Sequence, residues 1–102
     1  MPRSIRLAQR AIADLTGIRE WLSQPGAGSA AKRRLRSLLA VIERLPRHPC
    51  RYPRGDMPGT RQLVIEGHTV IYELHPDTGR DATAGDVVVL RVFGPRQFRG
   101  VL

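Results

Sequence analysis

One cysteine, one lysine, five aromatic residues and nine acids are what this 102-residue chain has little of, and each shortage closes off a class of function. A lone Cys50 cannot form an internal disulfide, and it lies in a Pro- and Arg-rich stretch without a His or Asp arranged around it as a catalytic pair. No apolar run nears the roughly 18 residues of a membrane span, and no continuous apolar stretch near the N-terminus reads as a secretory signal. The chain is therefore expected in the cytoplasm. His48, His68 and His75 have no Cys or second acid at ligand spacing, so no metal site is expected. There is no Gly-rich phosphate cradle and no Gly-x-Ser-x-Gly elbow, which leaves cofactors and serine catalysis without support. Trp21, Tyr52, Tyr72, Phe93 and Phe98 do not interleave with the densest basic cluster, Lys32 to Arg36, which argues against stacking of single-stranded nucleic acid on the helices.

Positive charge is present in excess. Seventeen basic residues against nine acids give +8, and residues 1–60 account for all of it, with 12 basic and 4 acidic side chains; residues 61–102 hold 5 of each. All the basic residues except Lys32 are Arg, which suits planar recognition of phosphate or carboxylate and equally suits a GC-rich coding sequence. The length fits one domain over 1–102, and a 41% hydrophobic content arranged in periodic blocks is that of a folding chain.

Those blocks change period along the chain. Ile5 and Leu7 alternate with polar residues, as in a short strand. Ala8, Ala11, Ile12, Leu15, Ile18 and Leu22 then mark the apolar stripe of a helix. Pro25 and Gly26 break it, Ser29 is placed to cap a second helix, and Leu35, Leu38, Ile42 and Leu45 form that helix's stripe up to Pro46. A Pro-rich loop follows to Gly59. Three runs of period two, Arg61–Glu66, His68–His75 and Val87–Phe93, predict strands, the first two joined by a tight hairpin at Gly67 and the last two by a long polar loop with a mobile tip. The expected fold is α+β, in the order β-α-α-β-β-β, with a helical hairpin on one face of a small, mainly antiparallel sheet.

Two groups of charged residues stand out. Lys32, Arg33, Arg34 and Arg36 crowd the start of the second helix, where positive charge opposes the helix dipole, so they do not serve helix formation. They read either as a solvated face or as an electrostatic platform. Arg91 interrupts an apolar strand and needs an acidic partner or an exit from the core; Glu66 and Glu73 on adjacent strands are the expected partners.

The helix motif Ala8-x-x-Ala11-x-x-Asp14-Leu15-x-x-Ile18, the close Ile42-x-x-Leu45-Pro46-x-x-Pro49, the strands Thr60–Ile65 and Val70-Ile71-Tyr72, and Val88-Val89-Leu90-Arg91-Val92-Phe93-Gly94-x-Arg96, in this order, resemble the RelE/ParE superfamily of bacterial toxins. The resemblance implies a toxin paired with an antitoxin, an acidic-tailed protein of ribbon-helix-helix type that carries the pair to operator DNA. It also implies one of two targets: mRNA cut on the ribosome, as in the RelE branch, or DNA gyrase poisoned without hydrolysis, as in the ParE branch. The RelE constellation is incomplete. Arg96 is kept in Gly94-Pro95-Arg96, Thr69 stands where an Arg follows the Gly, and Gln97–Leu102 offers no Tyr or His. An RNase reading would rest on Arg61, His68 and Arg96. The ParE-like reading expects no catalytic residues, Lys32, Arg33, Arg34 and Arg36 facing the antitoxin, and Arg61, Arg91, Arg96 and Arg99 facing gyrase.

Overall fold

The computed structural model describes residues 3–95. Six elements follow in the expected order: β1 (Ile5–Leu7), α1 (Gln9–Leu22), α2 (Gly28–Arg44), β2 (Arg61–Ile65), β3 (His68–His75) and β4 (Asp86–Phe93). The strands form one sheet in the order β1-β4-β3-β2, in which β1 runs parallel to β4 and the other pairs are antiparallel.

The two helices cover one face. Their stripes supply Ala11, Ile18 and Leu22 from α1 and Ala31, Leu38 and Ile42 from α2, and these pack with Leu63, Val70, Tyr72, Leu74, Val87, Val89 and Val92 of the sheet. Burial of these side chains is the main source of stability. Two helix details differ from expectation. α2 starts at Gly28 after Ala27, with no side-chain cap, so Ser29 lies inside the helix. Ile12, expected in the core stripe, is 51% exposed and faces a shallow trough between the helices.

The sheet register explains the rest. Glu66 and Gly67 both have positive φ (51° and 77°), the backbone of a two-residue hairpin turn whose twist suits the flanking strands. A bulge beside Leu90 shifts the β3–β4 register between Ile71 and Tyr72, so Val89 and Val92 both reach the helix-covered core although they are three residues apart. Arg91 pairs with Ile71, on the opposite face.

Its partner is not Glu66 or Glu73. β1 ends at Leu7, so β4 beyond Val89 has no strand on that side, and Asp14 of α1 covers the open edge. The Arg91 guanidinium donates from Nε and Nη2 to the two oxygens of Asp14 at 2.8 and 3.1 Å, and the Val92 N–H donates to the same carboxylate at 2.9 Å. The guanidinium also lies 4.5 Å from the centre of the Phe93 ring. One carboxylate thus neutralises a strand arginine, satisfies a strand amide and ties α1 to β4.

The loop 76–85 is tied to the rest of the fold at several points on either side of its exposed tip. Asp77 bonds Arg61, Asp81 accepts the Cys50 N–H at 2.8 Å, and Arg3 donates to the carbonyls of Ala84, Pro46 and Asp81. At Gly85 a Cβ would stand 1.8 Å from the His75 carbonyl oxygen, so only glycine fits this closure.

We expect Asp14→Ala to cost about 2 kcal/mol, because it strands both the Arg91 guanidinium and the Val92 amide; for a domain this small that lowers Tm by roughly 10 °C. Asp14→Asn, which keeps an acceptor for Val92, should lose less. Adding Arg91→Ala to Asp14→Ala should cost less than the two single losses combined in denaturant titrations.

Candidate functional site

Arg61 lies on the helix-covered face of β2, opposite Tyr72, and is only 6% exposed. Burial of a guanidinium is tolerable only when its donors are used. Nε and Nη2 donate to Asp77 Oδ2 and Oδ1 at 2.8 and 3.0 Å, and Nη1 donates to the Tyr52 carbonyl at 2.7 Å. Hydrogen bonding from Arg61 is the leading reason that the Asp77 carboxyl titrates below its ordinary value; the Gly79 N–H and nearby Arg54 add to it. Beside them the Tyr72 hydroxyl, fully buried, donates to the Pro49 carbonyl, and burial raises its pKa. Burial likewise raises the Cys50 thiol.

Arg61 therefore does not face a target, contrary to expectation. It clamps the loop 46–59 to the loop 76–85, a structural task that consumes its donors.

The clamp shapes a surface. By holding Tyr52 it fixes Arg51 and Tyr52 across from α2, and between them runs a groove of about 480 Å³. Arg33, Arg36, Arg44 and Arg51 line it together with Val41 and Ile65, and no acid is among the lining residues. None of the four arginines has an ion pair among the described residues. Arg33, Arg36 and Arg44 share one helix face by their spacing of three and eleven. Of the four residues singled out in sequence, Arg33 and Arg36 line this groove, while Lys32 and Arg34 are exposed elsewhere on α2. Arg44 and Arg51 were missed. The helical spacing pointed to Arg44; Arg51, brought in by the loop clamp, had no local signal.

A second trough, about 470 Å³, runs between the helices and is lined mainly by Leu7, Ile12, Leu15, Leu35 and Leu39. Trp21, 69% exposed, is a further apolar side chain on the outer surface of α1. A wider cavity lined by Arg3, Glu43, Arg47 and Asp86 mixes both signs of charge, and its Arg3 is already committed to backbone carbonyls.

The RNase set is not assembled among the described residues. His68 is 3% exposed, its Nδ1 sits 3.0 Å from the Glu66 carbonyl, and it pairs with Ile65. Arg61 pairs with Tyr72, four residues along β2, a separation of about 13 Å at the ordinary strand rise. A base at His68 and a cation at Arg61 are thus both buried and apart. Arg96 and Arg99 lie outside the described residues. Arg91 remains half-buried against Asp14. Among the described residues no group of three His, Cys, Asp or Glu could hold a metal ion, and no helix is long and apolar enough to cross a membrane.

The Asp77–Arg61 pair sets an acid limit. A carboxyl whose folded pKa is depressed stabilises the fold above its unfolded value, near 4, and that contribution is lost as pH falls through the lower folded value. Stability should therefore decline below about pH 4. Asp77→Asn should cost about 3 kcal/mol at neutral pH, by leaving Arg61 buried without a counter-charge, and should flatten that decline in urea titrations run from neutral to acid pH.

Comparisons with known proteins agree with this architecture. No curated protein matches the chain. The chain is similar to a solved structure of the chromosomal ParDE toxin–antitoxin system from P. aeruginosa, with a TM-score of 0.68 and 16% identity over 92% of this chain and 97% of the other. It is also similar to the toxin–antitoxin complex RelBE2 from Mycobacterium tuberculosis, with a TM-score of 0.55 and 23% identity over 92% of each chain. At these identities the likeness is one of fold. The model of the ParE toxin of the type II toxin-antitoxin system parDE matches residues 5–97, and the chain belongs to that family of toxins.

Proposed function

We propose that this type II toxin acts on DNA gyrase, without hydrolytic chemistry of its own, and is neutralised in the cytoplasm by an acidic antitoxin of ribbon-helix-helix type. Membership of the ParE family across residues 5–97 carries the reading. It is supported by the dispersal of the residues an RNase would need. Attack by a ribose 2′-OH requires a base, a cation near the phosphorane and an acid in reach of one another, and Arg61 and His68 are buried at opposite ends of a hairpin.

The antitoxin is received on the helix side. Its apolar anchors fit the trough at Ile12, Leu15, Leu35 and Leu39, and its carboxylates fit the arginines of α2 through charge-assisted contacts. Lys32 and Arg34, exposed near the start of α2, steer the encounter from a distance. Operator DNA is reached through the antitoxin. Contact with the target falls to the β4 end of the sheet, around Arg91, and to Arg96 and Arg99, which follow in the sequence.

Purified toxin is expected to block supercoiling by gyrase or to trap cleaved DNA. Unimpaired gyrase together with mRNA cut on ribosomes would overturn the proposal in favour of the RelE-type activity, and a lack of growth arrest on induction would mark a chain that only binds its partner. Reversing Lys32 and Arg34 to Glu should slow antitoxin association by about tenfold at low salt and weaken its salt dependence.

A further inference from the structure

α2 presents two unlike flanks. Leu35 and Leu39 line the apolar trough it shares with α1, whereas Arg33, Ser37, Val41 and Arg44 line the groove it shares with the loop that follows it. Charge and an aromatic ring converge in that groove. Arg33, Arg36 and Arg44 come from the helix and Arg51 from the loop; all four residues are exposed, and none forms an ion pair among the described residues. Tyr52 lines the groove half-buried, its side chain packed against the core and its carbonyl held by Arg61, and the Arg51 guanidinium lies 5.7 Å from the centre of its ring. Val41 and Ile65 add aliphatic surface packed on the same core. The folded loop thus supplies the ring that the Lys32–Arg36 cluster lacks along the chain.

Size and charge density narrow the ligand. A space of about 480 Å³ is that of a small-molecule site, for which roughly 300–1,000 Å³ is usual, and it is short for a polymer. A peptide or single nucleic-acid strand carries at most one charge per residue or nucleotide, so the piece of it that fits brings too few anions for four arginines. A duplex brings more phosphates but keeps its bases stacked inside, which leaves Tyr52, Val41 and Ile65 without a partner. A nucleoside polyphosphate concentrates its charge on adjacent phosphates at one end and carries a flat, weakly polar ring at the other. Arginine suits the first part, because its planar fork takes phosphate oxygens two at a time. The tyrosine and its aliphatic neighbours suit the second, because every base has a face that stacks.

We infer that the groove binds a nucleoside polyphosphate, with its phosphates on Arg33, Arg36, Arg44 and Arg51 and its base against Tyr52, Val41 and Ile65. Bound nucleotide withdraws the α2 arginines from any other anion, so it competes with an acidic partner for this flank of α2 and leaves the apolar trough on the other flank free. That consequence rests on the reading that the partner is an acidic antitoxin; the nucleotide site itself does not.

The full chain alone, without gyrase or antitoxin, suffices for the test. ATP is titrated against it by calorimetry beside AMP, inorganic triphosphate, a short single-stranded oligothymidylate and a short polyglutamate peptide. ATP is expected to bind about tenfold more tightly than AMP, which has less charge, and about fivefold more tightly than triphosphate, which has no base. Arg33→Gln/Arg44→Gln should weaken ATP about tenfold, whereas Lys32→Gln/Arg34→Gln, the same loss of charge elsewhere on α2, should change it by less than about twofold. Tyr52→Leu should bring ATP to the level of triphosphate and leave triphosphate unchanged, with a thermal melt to show that each variant is folded. Equal binding of ATP and triphosphate, or equal losses in the two double variants, would overturn the site, since bulk charge alone would account for both. Displacement of ATP by the oligonucleotide or the peptide at lower concentration would overturn it in favour of a polymer. The outcome is separable from the gyrase reading: nucleotide binding with gyrase untouched sinks only the latter, and blocked gyrase with no nucleotide bound sinks only the former.

Discussion

A guanidinium buried in the layer between sheet and helices is the constraint on which the rest depends. Arg61 sits at the start of β2 facing inward, where an unpaired charge would cost several kcal/mol, and the fold answers by drawing two loops onto it. Asp77 comes from the β3–β4 connection and the Tyr52 carbonyl from the α2–β2 connection. Neither loop has secondary structure enough to hold itself. Asp81 on the Cys50 amide, the Tyr72 hydroxyl on Pro49 and Arg3 on Ala84 reinforce the same join. The buried cation therefore determines where an exposed one goes: with Tyr52 held, Arg51 faces α2, and a row of helix arginines becomes one wall of a groove.

The charge pattern acquires a meaning that its total lacks. Arg61 of β2 and Arg91 of β4 are neutralised inside the molecule by Asp77 and Asp14. Among the described arginines without an ion pair, Arg33, Arg36, Arg44 and Arg51 of α2 and the loop after it converge on one groove. A surface of this kind attracts anions over about a Debye length, some 8–10 Å at physiological salt, and its range shrinks as salt rises. The attraction does not by itself distinguish peptide from nucleic acid. The arginines border a groove that also takes in Val41 and Ile65, so an apolar contact accompanies the charge there.

Periodicity disclosed the elements because each period is a direct consequence of which face is buried. The helix stripes and the three later strands follow from it, and the order of elements then limits the layers to a helical hairpin on a sheet. The places where sequence reasoning failed share one cause. Glu66 and Glu73 were natural partners for Arg91 because they lie on strands beside it, yet Asp14, 77 residues away, is the partner, brought there because β1 is too short to cover β4. The bulge beside Leu90 has no mark in the apolar run Val87 to Leu90, so alternation could not assign the faces of Val89 and Val92. Arg61 was misread for want of its partner: an Arg at a strand end suggests an outward contact until Asp77, from the loop 76–85, supplies its counter-charge. His68 is the same lesson in small, a polar residue in a strand whose face is decided by the hairpin register. Within the candidate site, Arg33 and Arg36 were readable from a cluster in sequence, but Arg51 depends on the clamp.

Gln62 points its N–H away from β3, Val64 two residues on does the same, and among the described residues nothing pairs with Val64 there; such an edge is an invitation to pair with another copy of the same chain, and folds ordinarily blunt it. Here the first half of β2 is blunted by the loop 53–55, whose Pro53 and Arg54 are the residue types that discourage pairing. The second half is guarded only by charge. Two copies meeting edge to edge would bring two sets of unpaired arginines together, and each chain carries +8 overall. Repulsion thus turns away self-association at that edge. The arginines would discriminate among partners as well as add affinity, which accounts for positive charge at the start of α2 despite its unfavourable placement against the helix dipole.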